Sequence, residues 1–512
     1  MKKNLVLVLL ASFLVVGSIG CSNTNNGNSS APSNESAVPT AENGDAGKIN
    51  FDEEPYTIKV NYAVLGQEQP DLPKIEAKLN EITLKEINAK IDLEGVSLYN
   101  MANVYALKAS SREKTDLMLL MPGNRYLASF ANNKMIRPID EELAQWGPAL
   151  TETLGDNLIS GQFNGKQYAI PQKADQKNTI GFHFSKSILD KYNIDVSNIK
   201  SLSDLDSVFA IVHEKEPNMT VLAPEVSVGN IASILKWNDG LGNAYGGLLD
   251  PNSTKLENMY ESEEFVETIK KVREWYQKGY ISKDVNTSQD DGATLLDNGK
   301  VFAVAASSVG FAGGSIKPIE KQSIAMYPPV LTTSDTQLLL WSVASSSERP
   351  DKAIQFLNLL NSSAELTTLL QFGIEGEHYE VNANGTLNVS NNKNYESYWP
   401  MFGDYSKAPL SETYVTASGL SVEEFKLKQK AWNDNTKKSI AYGFIFDPGP
   451  VKTEIAALDA VAAQYAKVIG NGAVDPTELL KKFNDSLYAA GLQKVMDEKQ
   501  RQFDAWLATN NK

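Results

Sequence analysis

Between Tyr56 and Met121 the hydrophobic period switches back and forth between two and about 3.6, and that alternation restricts the fold more than any other feature. Tyr56-Thr-Ile-Lys-Val-Asn-Tyr-Ala63 alternates as a half-buried strand does. Pro73 to Ile87 carries Ile75, Leu79, Ile82 and Ile87 near the helical period, the stripe of a helix packed on one side. Ile91-Asp-Leu-Glu-Gly-Val96 predicts a second strand, and a helix follows near Ala102–Ser111. Asp116-Leu-Met-Leu-Leu-Met121 is an apolar run of the kind buried on both faces of a parallel sheet. Strand, helix, strand, helix, strand requires right-handed crossovers and therefore an open α/β sheet. Ligands of such sheets sit beyond the carboxyl ends of the strands, in loops such as Met121-Pro-Gly-Asn-Arg-Tyr126.

The N-terminus reads as an export signal. Lys2 and Lys3 precede an apolar run from Leu5 to Val16 and the small, turn-prone Gly17-Ser18-Ile19-Gly20. A charged start, a short apolar core and small residues before a cut describe a secretory leader, too short to span a membrane. Cys21, the only cysteine in 512 residues, stands at that cut. Its placement resembles the lipobox of bacterial lipoproteins, which implies cleavage before the cysteine and lipidation of its thiol, although Ser18 replaces the usual leucine. From Ser22 to about Gly47 the chain is mostly Asn, Ser, Gly, Ala, Pro and Thr with no aromatic residue. Such a segment buries too little apolar surface to offset its conformational entropy. As a coil it spans roughly 25–30 Å. The expected layout is a signal peptide over 1–20 and a lipidated, palmitate-bearing Cys21 heading a disordered tether over 21–50.

With Cys21 modified, no thiol remains for a disulfide, a nucleophile or a metal, so stability must come from hydrophobic cores. The formal net charge is −15, and losing Lys2 and Lys3 with the leader makes it −17. An acidic body of this kind has no electrostatic affinity for nucleic acid or anionic head groups. His183, His213 and His378 lie far apart in no metal-ligand spacing, and no G-x-S-x-G elbow, Walker loop or His-Glu-x-x-His occurs. Gly240-Leu-Gly-Asn-Ala-Tyr-Gly246 follows a helix-like stretch and leads into Asp250-Pro251, which rules out a dinucleotide loop. No cofactor, no metal site and no catalytic residues are expected.

Several segments are similar to family 1 extracellular solute-binding proteins, the maltose-binding-like receptors of ABC importers. Asn164-Gly-Lys-Gln-Tyr-Ala-Ile-Pro171 followed by Phe182-His-Phe-Ser-Lys-Ser-Ile-Leu-Asp-Lys-Tyr192 resembles their first hinge crossing. Leu295-Leu-Asp-Asn-Gly-Lys-Val-Phe-Ala-Val304 resembles their buried strand after an Asn-Gly-Lys turn, and Met326-Tyr-Pro-Pro-Val330 the second crossing. Ser345-Ser-Ser-Glu-Arg-Pro-Asp-Lys-Ala-Ile354 resembles the passage beside the third. Ala441-Tyr-Gly-Phe-Ile-Phe-Asp-Pro-Gly-Pro450 and the closing helices resemble a lipoprotein subgroup of Firmicutes with an added C-terminal domain. Within that tail, Asp475-Pro476 reads as a cap with proline in the first turn, and Gly491 closes the helix it opens.

The resemblance implies a two-lobed, periplasmic-binding-protein-like α/β fold whose lobes are joined by hinge crossings and close on a solute. Lobe one is expected over 51–171 plus 330–346. Lobe two is expected over 174–326 plus 350–512, with a helical extension from about 440. Sugars present flat C–H faces and rings of hydroxyls, so their sites need aromatic platforms and planar polar side chains. By position in the family the candidates are Asn124 and Tyr126 after the third strand and Asp175 just past hinge Pro171, and Trp237 with Asn238 are added because they end a helical stretch beside the Gly-rich Gly240–Gly247, where a ring could face the cleft. Trp341, whose strand phase decides whether it faces cleft or core, joins them with Glu375 and Ser307. Maltose-type receptors place an aromatic after the Asn-Gly-Lys turn, where this chain has Ala306-Ser-Ser-Val309, so either the Ser307 and Ser308 hydroxyls hold the sugar or the ligand is not a maltose-like oligosaccharide.

The expected function is a monomeric, lipid-anchored receptor on the outer face of the cell membrane. It would deliver a mono- or oligosaccharide to ABC permease subunits, and nucleic acid is not a partner. Two alternatives stay open: a glycosidase, since 63 acidic residues supply many carboxylate pairs, and a sensor or adhesin lipoprotein that presents its ligand to another protein.

Overall fold

A β–α–β–α–β run opens the folded body, as the alternating periods require. In the computed structural model the described residues are 47–64, 68–172, 179–310, 321–390, 394–395 and 401–510. The first elements are β1 (Tyr56–Val64), α1 (Leu72–Ile87), β2 (Ala89–Ser97), α2 (Met101–Ser111), β3 (Leu117–Leu120) and α3 (Gly123–Asn132). Pro73 sits in the first turn of α1, and Asn88 closes it in the left-handed region, donating its backbone N–H to Thr83. Leu72, Ile75, Leu79 and Ile87 of α1 are buried against the sheet. β1 and β2 run parallel with Ile58 opposite Ile91 and Val60 opposite Leu93.

Two later strands complete this sheet: β4 (Ala169–Pro171) and, much further on, a strand at Leu340–Val343. Between them the chain builds a second sheet from β5 (Thr179–Ser185), β6 (Thr220–Pro224), β7 (Val301–Val309) and β8 (Lys321–Ala325), with α4 (Glu263–Gln277) packed on it. A short β9 (Val330–Leu331) follows on the second crossing, and Leu340–Val343 is β10. Sheet one has the order β2-β1-β3-β10-β4 and sheet two the order β8-β5-β7-β6. Phe182 and Phe184 of β5 pack with Phe302, Phe209 and Trp275 as the aromatic centre of the second core.

Beyond β10 come α5 (Pro350–Ser362) and α6 (Ala364–Phe372). Ile354, Phe356, Leu357, Leu360, Leu366 and Leu370 belong to the core of sheet one, as do Tyr395, Met401 and Phe402. This corrects the expectation that everything from 350 onward lies in the second lobe. The resemblance placed Ser345–Ile354 beside a crossing, but an apolar helix face does not say which of two equally apolar sheets it covers. The chain reaches the second core only after β11 (Lys437–Lys438), through α7 (Lys452–Gly470), α8 (Pro476–Ala489) and α9 (Leu492–Thr509). Asp475 caps α8 by accepting from Thr477 N at 2.9 Å, and Gly491 takes φ 105° behind it.

Candidate ligand-binding cleft

Strand pairing turns the carboxyl ends of both sheets toward the crossings. In sheet one, Leu120 at the end of β3 and Pro171 at the end of β4 lie opposite the same residue, Leu340. In sheet two, Thr179 at the start of β5 lies opposite Val309 at the end of β7, and Ala325 at the end of β8 lies opposite Gly181. The chain leaves sheet one at Pro171 and enters sheet two at Thr179. Both crossings therefore join the two edges where loops after parallel strands collect, the place an α/β sheet offers to ligands.

On the first edge, α3 starts hard against β10: a Cβ on Gly123 would lie 2.5 Å from Leu340 Cδ1 and 2.9 Å from Gln337 O, so only glycine fits. Tyr126, half-buried, rests its ring on Phe130 at 5.6 Å between centroids. The side chain of Asn124 lies outside the described residues, as do Asp175 and Cys21. Glu375 is exposed on a turn fastened to the loop before α1. There His378 Nδ1 accepts from Ile374 N (2.9 Å) and Nε2 meets Asp71 Oδ2 (3.1 Å), while Lys74 bridges Glu377 and Asp71. Asp71, Glu377 and His378 are close enough to suggest a metal, yet both imidazole nitrogens and the carboxylates already engage these internal partners. The cluster pins a loop.

Trp341 is a correction. It faces the core of sheet one at 3 % exposure, its Nε1–H donates to Met401 O at 2.7 Å, and its ring packs on Phe402. Phe402 and Met401 come from 60 residues downstream, so strand phase alone did not reveal what covers the indole.

The second edge is better furnished. Glu225 follows β6 and is held by its backbone: its N–H donates to Ala305 O (2.9 Å) and its carbonyl accepts from Ala293 N (3.0 Å). Its carboxylate accepts from the exposed Ser307's N–H at 3.0 Å and from Ser308 Oγ. Ser308 in turn meets His183 Nε2 at 3.0 Å, and His183 Nδ1 meets Ser323 Oγ at 2.6 Å. Trp237, 7 % exposed, and the half-buried Asn238 lie beside the second crossing through Tyr327. Thr179 Oγ1 donates to Tyr327 O (2.9 Å), and the Tyr327 hydroxyl donates to Glu264, which also pairs with the buried Lys236. Burial, then the Glu264 carboxylate, push the Tyr327 phenol well above its ordinary range. At Glu264 burial acts to raise the carboxyl, but the hydrogen bonds from Lys236 and Tyr327 outweigh it and hold it below the usual value.

Asp239, next to Asn238, is fully buried and accepts from Thr333 N (3.1 Å) and Thr333 Oγ1 (2.6 Å) just past the second crossing. Desolvation raises this carboxyl despite those donors. The structure thus gathers Trp237 and Asn238 at the crossing, and Ser307 with Glu225 at the strand ends. Glu225 and Tyr327 were not singled out from sequence. A glutamate directly after a Pro-terminated strand was the available signal for one, and the Tyr-Pro-Pro crossing for the other. Carboxylates, an amide, serine hydroxyls and aromatic rings on a strand-end surface suit a neutral ligand rich in hydroxyls.

Two α/β lobes with strand ends turned to shared crossings have the architecture of the two-lobed solute-binding proteins. The chain belongs to the bacterial extracellular solute-binding proteins, whose family matches residues 84–375. Residues 440–508 match a domain of unknown function, DUF3502. A Streptococcus pneumoniae protein described as a carbohydrate ABC transporter substrate-binding protein is 26% identical over 451 residues, covering 86% of this chain and 90% of that one. The N-glycan transport solute binding protein NgtS of S. pneumoniae superposes with TM-score 0.78 at 25% identity, covering 89% of this chain and all of that one. An extracellular solute-binding protein of Bifidobacterium longum subsp. infantis shares the fold with TM-score 0.64 at 17% identity over 89% of this chain and 99% of that one.

Proposed function

We propose that this protein is a lipid-anchored, extracytoplasmic receptor that captures a carbohydrate between its lobes and delivers it to an ABC transporter permease. The observation that carries the reading is end-to-end similarity to NgtS, which has been solved with Man1GlcNAc and Man5GlcNAc, combined with the hydroxyl-suited strand ends. Solute bridging both lobes favours the closed form, and differential affinity for that form drives closure. The cleft residues proposed to touch sugar are Trp237, Asn238, Ser307, Tyr126 and Glu225, with Asp175, Asn124 and Glu375 completing the walls. Cys21 carries the proposed lipid, and ATP hydrolysis by the transporter's own subunits would release the solute.

The test is a thermal-shift series against Man5GlcNAc, shorter mannose- and glucose-based saccharides, acidic sugars and peptides. Ligand at about a hundred times its dissociation constant adds roughly 2.7 kcal/mol, a rise of a few degrees in Tm. The expected result is a shift with one saccharide class, with the sugar recovered intact and the shift reduced in Trp237→Ala and Asn238→Ala. A shift with peptides alone overturns the ligand class. Hydrolysis of the sugar would make the protein a glycosidase.

A further inference from the structure

A chain of hydrogen bonds runs through the second lobe and ends at the strand-end edge. On β5, Phe182 and Phe184 point into the aromatic core, so His183 between them faces the other side of the sheet, where it is 3% exposed. Ser323 of β8 stands directly opposite it. On β7 the register with β5 slips by one residue between Thr179 and Gly181, a bulge that sets Ser307 and Ser308 against Ile180. There the Ser307 N–H donates to Glu225 Oε2 at 3.0 Å, and Ser308 Oγ meets Glu225 Oε1. The directions of the other bonds follow from counting protons. A serine hydroxyl carries one proton and a carboxylate none, so Ser308 donates to Glu225 and must accept from His183 Nε2, 3.0 Å away. A neutral imidazole has only that one N–H, so Nδ1 accepts, and Ser323 Oγ donates to it at 2.6 Å. Burial, joined by the charge of Lys321 and opposed by that of Asp297, keeps the ring neutral at pH 7.

We infer that Ser323, His183 and Ser308 form a one-way relay that locks Glu225 as an acceptor of ligand hydroxyls, with His183 and Ser323 as positioning residues that do not touch the ligand. The inference rests on the carbohydrate reading above and adds which sugar groups are read at this strand end. An ionised carboxylate offers about four lone-pair sites, shared between its oxygens. The Ser307 N–H occupies one on Oε2 and the Ser308 hydroxyl one on Oε1, so each oxygen of the half-buried side chain keeps an open site. Among the described residues no lysine or arginine pairs with it. Open sites side by side on a charged group suit a pair of neighbouring sugar hydroxyls, both donating. Were the relay reversed, Ser308 would spend its proton on His183 and present only lone pairs to Glu225, and the carboxylate would lose its fixed orientation. The observed direction therefore selects a neutral saccharide with adjacent free hydroxyls. It rejects an acidic one, whose own carboxylate would meet Glu225 with no cation between them.

The test reads the relay first without ligand, by NMR of full-length protein with Cys21→Ser and isotope-labelled imidazole nitrogens. The chain has only three histidines, and the His183 signal is the one that His183→Gln removes. At pH 7 its proton is expected on Nε2; a proton on Nδ1, or an imidazolium, overturns the relay. The consequence is read by calorimetric titration with Man5GlcNAc, the glycan held by NgtS, and with an oligogalacturonide as the acidic control. The parent is expected to bind the first and not the second. Ser323→Ala, two links away from Glu225, and His183→Leu should each weaken Man5GlcNAc binding by about tenfold. His183→Gln should recover most of that loss, because its amide accepts from Ser323 and donates to Ser308. Unchanged affinity in Ser323→Ala, or equal losses in the Leu and Gln variants, overturns the positioning role whether or not Tm falls. Tight binding of the oligogalacturonide overturns the selection. If neither sugar binds the parent, it is the carbohydrate reading that falls; if Man5GlcNAc binds parent and variants alike, only the relay does.

Discussion

His183 shows how far a single side chain can be moved by its setting. Burial, joined by the positive charge of Lys321, pushes its imidazole down to about 4 from an ordinary 6.5. Between these values the unfolded chain binds a proton that the folded chain refuses, so stability rises with pH across the window. It is complete above about 6.5 and is lost as pH falls toward 4, by about 3 kcal/mol at most. Urea midpoints at pH 7 and pH 4.5 should therefore differ less in His183→Asn than in the parent; equal differences would remove His183 from the acid response. Trp341 makes the complementary point. With its indole sealed against Phe402 and Met401, Trp341→Ala should lose about 3–5 kcal/mol in denaturant unfolding. A stable Trp341→Ala variant that had lost sugar affinity would return this residue to the cleft.

At the scale of elements, the loop Gly240–Gly246 depends on a helix some 250 residues further on. Lys499 Nζ lies within hydrogen-bond distance of four acceptor oxygens of that loop and shares its N–H donors, three at most, among them. Lys499→Met keeps the length of the stem but leaves buried acceptors unmet, at a cost of about 3 kcal/mol or more. Because the loop follows Trp237-Asn238-Asp239, the same substitution should weaken saccharide binding along with stability in calorimetric titration. Retained affinity would separate the loop from the site. α8 was readable in advance: Asp475, Pro476 and Gly491 sit at the positions that their local chemistry predicts. The segment that holds α5 was placed only by its family resemblance and α6 was not read from sequence at all, and neither was seen to belong to the first lobe, since amphipathicity fixes which face is buried and not the surface that buries it.

For the whole molecule, Ala46–Lys512 forms one compact unit although it contains two large cores. Phe444 and Phe446 lie in the core of sheet two and Ile445 between them in the core of sheet one, an interleaving that gives each core a share in the other's integrity. Thermal unfolding is accordingly expected as one transition, with calorimetric and van't Hoff enthalpies in agreement. Ile445→Ala should split it in two, and two resolved transitions in the parent would refute the coupling.

What the chain announced without help was everything carried by local period and local chemistry: the alternating strands and helices, the caps of the C-terminal helices, and the segments similar to hinge crossings. Those signals arise between residues a few positions apart and survive in one dimension. The placement of α5 and α6, the covering of Trp341 by Met401 and Phe402, the meeting of Glu225 with Ser307 and Ser308, and the nest around Lys499 join residues 60 to 259 positions apart. No spacing rule relates such partners, because each is selected by volume and hydrogen-bond satisfaction once the sheets have formed. The site is legible in sequence only as far as its strand-end loops are. Which side chains in those loops face ligand and which face the core was decided by packing.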